Sequence, residues 1–204
     1  MDGHRSVRAP PLHAFFQRRC CHVMTQILLL PLMVYAACGL ALSLLVHLLS
    51  FFGIQFGGTT LFTALHVGIF PLWIPVVLIS TRMLGGMNRK DFWKAALSGC
   101  PPWMKYMTYG FFIYAGVNFV IFIVLTSADP PPKQLSGAPP AVVLHGFSGH
   151  WMAFYSAGLA ILTTAYRRGL SNLQRRCSFG HTVGWSDRFC PTCGSSVAAS
   201  PDRP

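Results

Sequence analysis

The chain has 204 residues, of which 52% are hydrophobic and only 10% are charged. Soluble domains carry about 25% charged residues, so this composition excludes an ordinary soluble fold and indicates a protein embedded in lipid. The net charge of +11 does not point to nucleic acid, because the basic residues stand almost entirely between apolar segments, where anionic lipid headgroups attract them. We therefore expect a lipid bilayer as the partner and no nucleic acid.

Four long stretches of the chain contain no Asp, Glu, Lys or Arg: 24–50, 61–81, 108–127 and about 148–166. A helix that crosses the hydrocarbon layer of a bilayer, about 30 Å thick, needs about 20 residues. The sequence thus predicts an all-α integral membrane protein. Its membrane domain, residues 24–166, is predicted to be a four-transmembrane-helix bundle.

The basic residues predict the direction of these spans. The N-terminal segment 1–23, the loop 82–107 and the tail from residue 167 carry four, five and six Lys or Arg, whereas the loops 51–60 and 128–147 carry none and one. Lys and Arg concentrate in cytoplasmic segments of membrane proteins. We therefore expect both termini in the cytoplasm and the inner or plasma membrane as the location.

Small residues mark one face of two spans. They recur at helical spacing at Ala153, Ala157, Ala160 and Thr164 in the fourth span and at Gly39 and Ser43 in the first. Small residues let two helices approach closely in lipid. The pattern predicts helix contacts within the chain, or between two copies in a homo-oligomer.

Four histidines are predicted near the outer membrane face. His47 ends the first span, His66 begins the second, and His145 and His150 open the fourth. Ionisable groups inside spans are costly and are often functional. They suggest a membrane redox or metal-handling subunit, with haem or another metal on these imidazoles, or a proton relay for a quinone-type partner. The alternative is that each histidine bonds to backbone or water at the interface.

A serine between two glycines opens the fourth span, in Gly146-Phe147-Ser148-Gly149. These four residues resemble the Gly-x-Ser-Gly motif of rhomboid intramembrane proteases, and the resemblance implies a nucleophilic serine at the outer side. That family places its base histidine on a later span, which this sequence does not contain, so His66 or His150 would have to act as the base. A serine at a helix start is also a common N-cap, which is the alternative for Ser148.

The tail, which follows a basic linker at 167–176, carries the most specific motif of the chain. Three residues lie between Cys177 and His181, and Cys190 and Cys193 follow in a Cys-x2-Cys turn. Three sulfurs and one imidazole complete a tetrahedral zinc site, and four protein ligands leave no open position for catalysis. A reducing cytoplasm keeps such thiols free for metal.

The second turn, from Arg188 to Gly194, reads Arg-Phe-Cys-Pro-Thr-Cys-Gly. With the Cys-x3-His before it, this segment at 177–194 resembles the bacterial zinc-ribbon family, and the resemblance implies a structural zinc ion. The residues that follow, 195–204, are predicted to be a disordered tail. We expect a non-enzymatic membrane protein whose zinc ribbon is an interaction or scaffold module, with a cytoplasmic protein as its possible partner.

Overall fold

The computed structural model describes residues 12–84, 92–128, 140–169, 175–183 and 187–197. The described chain is mostly helical, with α1 (Leu12–Phe51), α2 (Gly58–Leu84), α3 (Phe92–Ala96), α4 (Pro102–Ala128) and α5 (Ala141–Arg168). Two short strands, β1 (Arg175–Arg176) and β2 (Thr182–Val183), pair antiparallel in the tail. Predictions for residues 1–11, for 170–174 of the linker and for 198–204 of the tail lie outside the described residues.

Three helices have the length and apolar character needed to cross a membrane: Ile27–Phe51 within α1, Gly58–Met83 within α2, and Pro102–Ala128. They match the first three predicted spans and confirm that the chain has membrane-type helices. α1 begins at Leu12, twelve residues before the predicted apolar stretch. The fourth predicted span lies within α5, which is less apolar than the other three long helices.

The position of α5 explains its lower hydropathy. α5 lies at the centre of the bundle, packs against α1, α2 and α4, and is buried over most of the stretch from Leu144 to Ala165. α4, by contrast, exposes most of its side chains. A helix that its neighbours shield on several sides can carry hydroxyl and imidazole groups, since these face protein rather than lipid.

Side-chain contacts give the direction of each helix. Gly39 of α1 lies against Tyr155 of α5, and His47 of α1 lies against Ser148 of α5. Residue numbers therefore rise along α1 in the direction in which they fall along α5, so the two helices are antiparallel. Thr108 and Asn118 of α4 contact Ser156 and His145 of α5, so these two helices are also antiparallel. His66 and Leu72 of α2 contact Trp151 and Gly158 of α5, so α2 is parallel to α5. The described basic residues at the end of α2, the start of α4 and the end of α5 therefore lie at one end of the bundle: Arg82, Lys105, Arg167 and Arg168. His47, His66 and His145 lie at the other.

Small residues lie at two helix contacts. On α5, Ala160 is fully buried and packs in a cluster with Leu97 and Met104. On α1, a Cβ atom added to Gly39 would overlap the ring of Tyr155 of α5. Ser43 is fully buried beside this contact and donates a hydrogen bond to the carbonyl of Gly39. The predicted close approach of helices is thus confirmed within one chain, and the homo-oligomer stays a prediction.

α3 and the turn after it close the basic end of the bundle. Ala96 and Leu97 are fully buried, and Leu97 packs in a cluster with Met104 and Ala160. The guanidinium of Arg167 donates to the carbonyl of Gly99 at 3.1 Å. This hydrogen bond joins the end of α5 to the turn between α3 and α4.

Candidate metal centre and interhelical polar cluster

Two tight turns form the compact tail module, which we call the knuckle (residues 175–197). In the first turn, the N–H of Gly180 donates to the carbonyl of Cys177 at 2.9 Å, and the N–H of Cys177 donates to the carbonyl of His181 at 3.0 Å. In the second, the N–H of Gly194 donates to the carbonyl of Cys190 at 2.8 Å. Gly180 (φ +85°) and Gly194 (φ +69°) adopt the left-handed region, which costs other residues energy and explains glycine there.

Short backbone pairings on each side hold the turns in place. β1 pairs with β2 across the first turn, and an antiparallel bridge joins Phe189 to Ser196 across the second. The N–H of Val197 also donates to the carbonyl of Arg188 at 2.8 Å. Each turn is therefore the tip of a small hairpin-like loop, and the tips carry the four predicted ligands.

The four ligand atoms converge on one point. The Sγ atoms of the three cysteines and a ring nitrogen of His181 all lie within 4.8 Å of one another. Cys177 Sγ is 3.5 Å from His181 Nδ1 and 3.7 Å from Cys193 Sγ, and Cys190 Sγ is 3.8 Å from His181 Nδ1. Tetrahedral zinc, with bonds of about 2.3 Å to sulfur and about 2.0 Å to nitrogen, places its ligand atoms about 3.5–3.8 Å apart. The distances fit an ion of that size.

The same distances exclude a disulfide between Cys177 and Cys193. Their sulfurs are 3.7 Å apart, whereas a disulfide bond is about 2.0 Å long, and all three tail cysteines are free thiols.

The only apolar side chains packed with the buried thiols are Val183 and Val197 in this part of the described chain. Such a core is too small to hold a fold, so metal binding would supply most of the folding free energy.

The ligand thiols differ in acidity. Hydrogen bonds from the hydroxyl and then the backbone N–H of Ser195 lower the pKa of Cys193 to about 7, and the hydroxyl oxygen lies 3.1 Å from Cys193 Sγ. Burial instead raises the pKa of Cys190. Because the thiolate is the form that binds metal, the lowered pKa favours the metal-binding form of Cys193.

At the opposite end of the bundle, His47 joins three helices. It is buried, with 4% of its surface exposed. Its Nδ1 lies 2.8 Å from Ser148 Oγ on α5, and its Nε2 is hydrogen-bonded to the Tyr114 hydroxyl on α4. Its ring stacks on that of His145, with 4.4 Å between ring centroids. Both ring nitrogens of His47 are therefore already engaged.

His145 completes this cluster. Its Nδ1 lies 3.0 Å from Ser50 Oγ on α1, and its backbone carbonyl accepts hydrogen bonds from Asn118 Nδ2 at 2.9 Å and from Ser148 Oγ at 3.0 Å. We call His47, Ser50, Tyr114, Asn118, His145 and Ser148 the interhelical polar cluster. It connects α1, α4 and α5 through side-chain hydrogen bonds.

His66 and His150 have other surroundings. His66 Nδ1 accepts a hydrogen bond from Trp151 Nε1 at 3.3 Å, and His150 is exposed, with its ring 4.5 Å from that of Phe154. His145 and His150 are five residues apart on one helix, so they point about 140° away from each other. The structure thus pairs His47 with His145. In the described part of the chain, the tail ligands form the one group of three or more metal-binding side chains that meet at one point.

The prediction for Ser148 needs two corrections. α5 begins at Ala141 with Pro140 at its N-cap position, so Ser148 lies inside the helix and does not cap it. The imidazole beside its hydroxyl is that of His47, and not of His66 or His150. The sequence alone did not single out His47, because it does not say which helix ends face each other. The signal lies in the antiparallel packing of α1 on α5, which brings these two positions to the same depth.

Comparisons of the chain with protein family models, with curated proteins and with solved structures find no match. No family model thus confirms the zinc ribbon predicted for residues 177–194, whereas the structure shows there a Cys3His cluster that could hold a metal ion.

Proposed function

We propose that this chain is a four-span protein of the inner or plasma membrane that carries a structural zinc module on its cytoplasmic side and acts through interactions rather than catalysis. The observation that supports this most strongly is the convergence of the Cys177, His181, Cys190 and Cys193 ligand atoms at tetrahedral spacing. A site closed by four protein ligands has no open position for a water or substrate. The role of such a metal ion is structural, since it fixes the conformation of the residues around it.

The length and place of α5 support the fourth span. With 28 residues, α5 is about 42 Å long at a rise of 1.5 Å per residue, which exceeds the hydrocarbon thickness of about 30 Å. It also lies at the centre of the three apolar helices. A central helix that stops partway would leave the ends of its neighbours without a partner. The alternation of basic segments supports the cytoplasmic placement of the tail.

Metal analysis of the purified chain tests the zinc module. We expect about one zinc per chain, and we expect a Cys190→Ser/Cys193→Ser double variant to lose it. Cys38→Ser is the matched control, since Cys38 is an exposed free thiol on α1, and it should retain the ion. A double variant that keeps its zinc would contradict the ligand assignment.

Reporter fusions test the number and direction of spans. A reporter that is active only in the cytoplasm should work when fused after residue 204, and a reporter active only outside should work at residue 133 in the loop that precedes α5. If the reporters place both positions on the same side of the membrane, α5 does not cross it.

The second candidate function is an intramembrane serine hydrolase, and the 2.8 Å contact between Ser148 Oγ and His47 Nδ1 favours it. In such a reaction the imidazole would take the hydroxyl proton as the oxygen attacks a carbonyl carbon. Ser148 is fully buried, so a substrate would have to part α1 from α5. We rank this function second for that reason.

A fluorophosphonate probe distinguishes the two functions. Labelling that disappears in Ser148→Ala and persists in Ser156→Ala, a second fully buried serine on α5, would support the hydrolase. The interaction protein predicts no labelling under conditions in which a known serine hydrolase is labelled.

A further inference from the structure

Two aromatic side chains stand out from the knuckle. Phe179, in the first turn, is 68% exposed, and Phe189, next to Cys190, is 63% exposed. Among the described residues, the knuckle buries only a pair of valines with its thiols, and these two rings are the largest apolar groups that those residues expose. Moving such apolar surface from water into an apolar environment is favourable. The two rings therefore offer apolar surface to a partner.

Cationic groups flank both rings. The guanidinium of Arg176 donates to the carbonyl of Gly180 at 2.9 Å, one residue from Phe179, and the exposed Arg188 directly precedes Phe189. Residues 175–197 contain three arginines and one aspartate, Asp187. Phenylalanine beside arginine is the composition that binds the boundary between headgroups and acyl chains.

The linker restricts where the knuckle can lie. α5 ends at Arg168 and β1 begins at Arg175, so six residues separate them. Fully extended, six residues span at most about 20 Å. If α5 crosses the membrane, the knuckle is confined to a layer next to the leaflet in which α5 ends. A lipid surface is then always within its reach.

We infer that the knuckle docks on this leaflet, with Phe179 and Phe189 inserted between acidic phospholipids and with Arg176 and Arg188 on their headgroups. The inference rests on the proposed zinc-bound knuckle and on α5 as a span. The metal ion has a defined role in it, because it holds the two turns, and hence both rings, in fixed positions. The interaction partner of the module is then the bilayer itself.

Photo-crosslinking in nanodiscs tests the docking. The full chain, loaded with zinc, carries p-benzoylphenylalanine at position 179 or, in a second variant, at position 189. Nanodiscs contain phosphatidylcholine alone or with phosphatidylglycerol, and zinc content is measured for each sample. We expect phospholipid adducts at both positions, with a severalfold higher yield when phosphatidylglycerol is present. Arg188→Gln should reduce the increase in adduct yield that phosphatidylglycerol causes.

The matched control carries the same crosslinker at Thr192, an exposed residue in the second turn. It should give a lower yield of phospholipid adduct. Equal yields at positions 179, 189 and 192, adducts to a second protein copy, or no lipid adduct in zinc-loaded samples would overturn the docking and leave the zinc module standing. Absence of zinc from the unsubstituted chain would instead overturn the proposed function. If one crosslinker variant loses zinc, the other carries the test.

Discussion

His47 shows how single residues tie the helices of this protein together. It lies on α1 and its two ring nitrogens meet hydroxyl groups on α5 and α4. Hydrocarbon offers no water to replace a lost hydrogen bond, so such groups must find partners within the protein. The pairing with Ser148 and Tyr114 gives His47 a structural role whether or not it has a chemical one.

Removing one of these hydroxyls tests that role. We expect Tyr114→Phe to lower the free energy of unfolding by about 1 kcal/mol, because it leaves His47 Nε2 without its partner and interhelical hydrogen bonds in membranes have about this value. Unfolding by SDS, followed by circular dichroism, measures the change. Tyr106→Phe on the same helix is the control, since Tyr106 is 72% exposed. Equal losses in the two variants would refute the role.

Ser195 provides a second residue-scale test, in the knuckle. Its hydroxyl and then its backbone N–H lower the pKa of Cys193 to about 7. In Ser195→Ala the hydroxyl is missing, so the pKa of Cys193 should rise and less thiolate should be present at pH 7. The pH midpoint of zinc binding, measured by competition with a chelator, should therefore move upward, because metal binding requires the thiolate.

The control for this measurement is Ser178→Ala, an exposed serine in the first turn. It should leave the pH midpoint of zinc binding unchanged. An unchanged midpoint in Ser195→Ala as well would mean that the hydroxyl does not stabilise the thiolate.

Among the helices, α5 is the one whose sequence differs most from that of a lipid-facing span. Its glycines let neighbouring helices approach, since Gly149 lies against Asn118 of α4 and Gly158 lies against Leu72 of α2. Two of its hydroxyl groups bond within the helix itself: Ser156 donates to the carbonyl of Ala153, and Thr163 donates to that of Leu159. A helix of this kind is stabilised by its neighbours more than by lipid, so its tight contacts are sensitive to added volume.

Gly39→Ala tests the contact between α1 and α5. The added methyl group would overlap the ring of Tyr155, and overpacking of this kind costs about 1–3 kcal/mol. Gly116→Ala on α4 is the matched control, because an added Cβ there meets no atom within 4 Å; it should be neutral or slightly stabilising through its higher helix propensity. Thermal unfolding in detergent measures both. A Gly39→Ala variant as stable as the control would contradict the packing.

At the scale of the whole molecule, two parts are held by different physics. The bundle depends on helix packing in lipid, and its largest described core cluster extends from Leu29 to Ala165. The described residues of the knuckle contain almost no core, so under the proposed function its fold depends on metal. The two parts should therefore lose structure independently.

Zinc removal tests this independence. After treatment with a strong chelator, the tail beyond Arg168 should become sensitive to trypsin, because a knuckle without metal has too little core to fold. The helical circular dichroism of the bundle should stay within a few per cent, since its helices contribute nearly all of the signal. Loss of the helical signal on chelation, reversed by added zinc, would show that the parts are coupled.

The sequence by itself determined the features that depend on local pattern. Charge-free runs predicted four spans, and three of them match helices that are long and apolar enough to cross a membrane, because spanning length is set by bilayer thickness. The spacing of Cys177, His181, Cys190 and Cys193 predicted the cluster that could hold a metal ion, because short turns bring such side chains together whatever surrounds them. The alternation of basic segments predicted the end of the bundle at which the basic side chains lie.

Only the tertiary structure decided which distant residues meet. It placed α5 at the centre of the bundle, which accounts for the weak hydropathy of that helix, and it put His47 rather than His66 or His150 beside Ser148. It also separated His145 from His150, which face different sides of one helix. These outcomes depend on how helices rotate and pair in three dimensions. A linear pattern specifies the faces of a helix and leaves the choice of its neighbours to packing.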